Sequence, residues 1–255
     1  MSRSRTLIVG LVVLFAVGVG AYVAYDQVLS GDSTPPLALP SSSPDAVASG
    51  APTTDTGASA DPATSEAPAA SFDGDVAGTW TAGAGSQAGY RVTERLASLP
   101  AASEAIGRTD QVTGRIVVEA DRTTTTVSSG SLTVDTTSIA SDESRRDNRM
   151  RSEGLQTDEF PTATFTLTQP VDVPAATLEG TAADLTLVGD LTLHGVTKSV
   201  EIPAQARLAD GQIQVQGSIT FPLSDFDIVA PNIGGFILSI AEEGTLEFVI
   251  LFDPA

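Results

Sequence analysis

From Val76 to the C terminus the sequence predicts an all-β fold, an eight-stranded antiparallel barrel with one short helix. Three observations lead there. Thr, Val, Ile and Leu recur in alternating runs, the pattern of half-buried strands. Gly, Asp and Pro punctuate those runs where turns are needed. Asp210-Gly211 separates two of the runs, and an Asp-Gly pair supplies the two positive φ angles of a tight hairpin turn. Closing eight strands into a barrel removes every exposed edge, and a barrel of that size either fills with side chains or holds one small ligand.

Two segments precede the barrel. In residues 1–29, Arg3 and Arg5 stand before an uncharged apolar run, Leu7 to Tyr25, of 19 residues, close to the roughly 20 that cross a bilayer core as a helix. The competing reading is a cleavable signal peptide. The apolar part of such a peptide is about 7–15 residues long, and no clean small-x-small site follows this run, so a retained transmembrane anchor is the expectation. The arginines then keep the N terminus cytoplasmic, which places the rest of the chain outside as a single-pass, extracytoplasmic domain at the cell membrane. Residues 30–75 are built almost wholly from Ser, Thr, Ala, Pro, Gly and acidic residues. Such a composition predicts a disordered linker, with an r.m.s. span of roughly 40 Å as a flexible coil.

Within residues 76–255 the runs read as strands over Gly78–Glu94, Val112–Asp121, Thr124–Asp135, Thr162–Gln169, Ala183–His194, Thr197–Leu208, Gln212–Pro222 and Thr245–Phe252. Residues two apart share a face of a strand. That parity assigns an inward set: Tyr90 and Val92; Val112, Ile116 and Val118; Leu132 and Val134; Phe165 and Leu167; Leu191 and Leu193. It continues with Val200 and Ile202; Ile213, Val215, Ile219 and Phe221; and Phe248 and Ile250. The set is overwhelmingly aliphatic, and each member taken alone reads better as ordinary core.

Between the third and fourth strands, RRDNRMRSEG forms a helix over about Ser141 to Glu153. Asp142 and Glu143 lie at its start and Arg149 and Arg151 near its end, which suits the helix dipole, and Gly154 stops it. The basic cluster is interleaved with acids, so it reads as a solvated, ion-paired face; a latch for an anionic headgroup is the alternative. This helix and the loop Ala97–Gln111 are the candidates for a barrel mouth.

The order of these pieces resembles the YceI-like family of lipocalin-like, polyisoprenoid-binding envelope proteins. The resemblance rests on Arg146, Asp147, Met150, Arg151 and Ser152 in the helix; on Phe160, Pro161 and Phe165; and on the run Gly189, Leu191, Thr192, Leu193, Gly195, Val196, Thr197 and Lys198. Gly78, Trp80, Ser86, Tyr90, Val92, Gly114 and Ser224-Asp225-Phe226 flank it, so it covers about Val76 to Phe252. It implies a hollow barrel in which the inward set lines a cavity for an isoprenoid lipid, a quinone or a related amphiphile. The chain departs from the family at Gly85 and Glu94, where many members carry His, and at Leu223 to Asp227. Headgroup preference is therefore not carried over.

Composition narrows the function classes. The chain carries 13 basic and 32 acidic residues. Arg3, Arg5 and eight of the acids precede Val76, which leaves 11 basic against 24 acidic in the barrel region and argues against nucleic acid. There is no cysteine, hence no thiol-linked anchor, disulfide or thiol chemistry. The single histidine, His194, lies at a turn beside Gly195, where an exposed polar residue is ordinary, and one imidazole makes no metal site. No nucleophile elbow, phosphate loop or zinc-protease helix is present. The expectation is a binding protein and not an enzyme, with no cofactor or metal beyond a bound lipid as ligand. The alternative is a filled barrel serving as a structural or protein-interaction module.

Overall fold

The computed structural model describes residues 34–41, 76–96, 102–230 and 237–255. The apolar run at residues 7–25 lies outside them. Among the described residues twelve strands form one sheet: β1 (Gly78–Ala82), β2 (Gln87–Leu96), β3 (Ala102–Thr109), β4 (Val112–Ala120), β5 (Thr125–Asp135), β6 (Thr162–Leu167), β7 (Val171–Asp172), β8 (Ala183–Leu193), β9 (Val196–Ala209), β10 (Gln212–Pro222), β11 (Ile237–Ile240) and β12 (Glu243–Pro254). The helices are α1 (Ser144–Arg149), continued by a wider turn over Met150–Gly154, and α2 (Ala175–Leu178).

The sheet closes. β1 pairs with β4 on one side and with the end of β12 on the other, which completes the ring β1-β4-β5-β6-β8-β9-β10-β12. β1 and β2 both run antiparallel to β12 and act as one strand broken at residues 83–86. The break is built for close approach: a Cβ at Gly83 would fall 1.8 Å from the Asp253 carboxylate, and Gly85 has φ +89°. Ser86 mends the ladder, accepting from the Leu251 amide at 3.0 Å. In the same way β3 and β4 are one strand interrupted at residues 110 and 111, with β3 pairing β2 and β4 pairing β1. The barrel thus has eight staves, each containing one of the eight expected strands.

Both expected hairpins are present. Asp210 and Gly211 have φ of 55° and 75°, and His194 and Gly195 have 50° and 74°, the two left-handed residues of a type I′ turn in each case. The loop expected over Ala97–Gln111 is a correction: Ala102–Thr109 is strand β3, in register with β2 from Arg95 to Ala88. The tether expected over residues 30–75 is corrected in part. Thr34–Ser41 is extended and lies on the barrel wall, where the Leu37 and Leu39 amides donate to Glu247 and Gln216. The rest of that stretch lies outside the described residues.

Candidate functional site

The barrel is hollow. Two apolar clusters sit toward its two ends, one built on Trp80, Ile116, Val118, Leu208, Ile250 and Phe252, the other on Leu155, Leu191, Leu193, Phe221, Phe226 and Ile228. Around and between them run three adjoining cavities of about 70, 110 and 70 Å³. Each exceeds the ~10–15 Å³ that admits one water on this measure. Leu132, Phe165, Phe248 and Ile250 line both the first and the central cavity, and Tyr90, Leu155, Leu193 and Leu246 line both the central and the third. Together they make a lumen along the barrel axis.

Alternation places the inward set on this lumen. Ile116, Val118, Leu167, Ile213 and Val215 line the first cavity. Val112, Val134, Leu191, Ile202 and Ile219 line the central one. Val92 and Phe221 line the third, and Leu132, Phe165, Phe248, Ile250, Tyr90 and Leu193 bridge cavities. Val200 differs: it packs half-buried against the second cluster and lines none of these three cavities. Leu185, Leu187 and Leu246 also line the lumen, and parity extended by one to three steps along their strands finds them. Met150 and Leu155, which follow α1, carried no such signal.

The two ends differ. At the first, α2 and β7 place Val171, Thr177 and Leu178 against the lumen. The Thr177 hydroxyl is buried there without a hydrogen-bond partner. At the other end, α1, the turn after it and the 3₁₀ turn Leu223–Phe226 form a lid over Tyr90, Val92 and Glu94. Glu94 continues the inward parity of β2 and is 3% exposed, so the mouth contains a buried carboxylate. Arg146 of α1 reaches it at 2.8 Å and also donates to Asp142 at 2.5 Å. Asp147 fastens the start of the helix by accepting from the Ser141 amide and hydroxyl. The family-like Arg-Asp pair thus docks the lid, while Arg145 and Arg151 stay exposed. Burial weighs against the Arg146 charge, but the hydrogen bonds and charges of Glu94 and Asp142 together outweigh it and raise its affinity for the proton. Burial also pushes the Tyr90 phenol up to about 12.

His194 corrects a sequence expectation. It is half-buried, with Nδ1 3.0 Å from the Phe226 carbonyl, Nε2 3.3 Å from Gln156 Oε1 and its ring 4.5 Å from that of Phe160. It ties the β8–β9 turn to the lid and is no free surface group. Among the described residues no cluster of His, Asp and Glu has the geometry of a metal site.

An eight-stranded antiparallel barrel with an aliphatic lumen, plugged at one end and lidded by a helix at the other, defines a lipocalin-like barrel. The chain belongs to the YceI-like domain family, whose profile matches residues 80–252. A UPF0312 protein of Shewanella baltica is 34% identical over 134 residues, covering 49% of this chain and 65% of the relative. A UPF0312 protein of Vibrio vulnificus is 37% identical over 86 residues, 33% of this chain and 42% of that one. The chain therefore spans less than two thirds of these relatives. Among solved structures, a polyisoprenoid binding domain from Saccharophagus degradans implicated in plant cell wall breakdown superposes with a TM-score of 0.54 at 18% identity, over 70% of this chain and 99% of the domain. At that identity the likeness is one of fold.

Proposed function

We propose that this protein is a carrier or buffer that sequesters the tail of an isoprenoid or related amphiphilic lipid in its lumen, with the headgroup at the lidded mouth. The observation that carries the reading is the chiefly aliphatic lining of the three cavities between α2 and α1, with the ion pair Glu94–Arg146 at the lid. A tail gains about 0.8 kcal/mol for each methylene removed from water, so ten buried carbons give roughly 8 kcal/mol before ordering costs, comparable to micromolar binding. A slender, branched or unbranched hydrocarbon suits such a lumen, and the fold is shared with a domain described as polyisoprenoid-binding. The function is binding and transfer, without chemistry on the ligand. The apolar run at 7–25 and the arginines before it support a membrane-tethered domain facing away from the cytoplasm.

Mass spectrometry of organic extracts from the full chain, purified from its native host, tests the reading. A prenyl or acyl lipid at near-equimolar ratio is the expected result. Extracts without stoichiometric lipid, together with no uptake of added polyprenyl or quinone compounds, would overturn it.

A further inference from the structure

The outer wall of the barrel carries polar groups that are buried as if they were core. Glu247, Gln214, Arg91 and Arg207 all point away from the lumen, yet none is more than 9% exposed. They belong to a network that reads the backbone of Thr34–Ser41. Arg91 donates to the Thr34 carbonyl at 2.7 Å, Arg108 to Pro35 at 2.5 Å, and Arg207 to Pro40. In the other direction the Leu37 amide donates to Glu247 at 3.2 Å and the Leu39 amide to Gln216 at 2.7 Å. The contacts of the segment thus fall on β2, β3, β12, β10 and β9, across the sheet and not along one edge strand, and five of its backbone groups are recognised by side chains.

The recognising groups are themselves held in place. Glu247 accepts from Arg91 Nε at 2.7 Å and from Arg108 at 2.7 and 2.9 Å, Arg207 donates to Gln214 at 2.8 Å, and Gln216 donates to Gln205 at 2.9 Å. Gly89 lets Arg108 pass, since a Cβ there would lie 2.8 Å from Arg108 Cγ. The segment matches this site. Its prolines, 35, 36 and 40, fall where no amide donor is used, and their fixed φ lowers the entropy lost on docking. Leu37 and Leu39, whose amides are used, are half-buried, while Ala38 between them is exposed.

We propose that this wall is a binding site for an extended, proline-bearing peptide, and that Thr34–Ser41 occupies it in cis as a strap. Only eight residues, 26–33, then separate the end of the apolar run from the barrel, a reach of about 30 Å when fully extended. The strap replaces a long tether with a short leash; that it holds the barrel near a membrane rests on the proposed anchor, whereas the docking itself does not.

The test uses the full chain in detergent micelles and NMR-detected amide exchange. The Leu37 and Leu39 amides should exchange at least tenfold more slowly than in the free synthetic peptide TPPLALPS. Leu37→Pro with Leu39→Pro removes both donors without changing a barrel residue, and it should bring the Ala38 amide resonance to the position it has in a free peptide carrying the same two substitutions. Exchange of Leu37 and Leu39 within twofold of the free peptide, or an Ala38 resonance of the unmodified chain that coincides with its position in the free peptide TPPLALPS, would overturn the proposal. Lipid uptake plays no part in either readout, so failure here is distinguishable from failure of the carrier reading.

Discussion

Arg146 Nη2 lies 2.8 Å from Glu94 Oε1, and this contact between helix α1 and the inner wall of β2 fastens the lid to the mouth of the lumen. Glu94 is 3% exposed, so removing its partner leaves a carboxylate stranded out of water. Arg146→Met should therefore cost about 3 kcal/mol in urea unfolding. Adding Glu94→Leu should recover most of that loss, because an apolar pair of similar volume replaces a buried ion pair with little net change. A double variant as unstable as the single one would show that the lid depends on something other than this pair.

On the outer wall, Glu247 contributes to the acid limb of stability. Burial alone pushes its carboxyl up, but hydrogen bonds from Arg91, Arg108 and the Leu37 amide hold it below its ordinary value of 4.5. The unfolded chain then binds the proton first as pH falls, so the contribution is complete above about 4.5 and is lost as pH drops through the lower folded value. Glu247→Gln should be less stable than the unmodified protein at pH 7, with the gap narrowing below pH 4.5. A gap independent of pH would remove Glu247 from the acid response.

Tyr90 governs the alkaline limb. Its phenol is held neutral to about pH 12, against an ordinary 10.0. Between these values the unfolded chain releases the proton and the native barrel keeps it, so stability falls as pH rises through the window, by about 3 kcal/mol for a shift of this size. Tyr90→Phe should flatten that fall. Denaturant midpoints at pH 10 and pH 11.5 measure the difference.

The staves of the barrel were legible because aliphatic and polar residues alternate along them, as in Ile213, Val215, Ile219 and Phe221 against Gln214 and Gln216. β3 was not, for a packing reason. Its inward residues are Ser103, Ala105, Gly107 and Thr109, and at Gly107 Tyr90 fills the space: a Cβ there would fall 2.4 Å from the ring. Ala, Glu and Gly read as a loop when their large partner sits on another strand. The mouth pair was hidden by distance, since Glu94 and Arg146 are 52 positions apart. The strap was hidden by composition, its two leucines diluted among Pro, Ser and Thr.

The last prediction measures the lumen. Ile202 on β9 is 4% exposed and lines the central cavity of about 110 Å³, whereas Thr192 on β8 faces outward and shares a 2.8 Å hydroxyl contact with Thr197. In a filled core a larger side chain forces strained rotamers and costs typically 1–3 kcal/mol. A cavity accepts the indole instead, at the expense of the space that a lipid tail would take. Ile202→Trp should therefore fold with near-normal stability when lipid-free and lose most uptake of a polyprenyl or quinone probe. Thr192→Trp should leave uptake unchanged. A loss of lipid-free stability above about 2 kcal/mol for Ile202→Trp would mean the barrel is packed at that level. Normal stability with normal uptake would mean instead that the tail does not reach Ile202, and would confine binding to the lidded end beside Tyr90 and Val92.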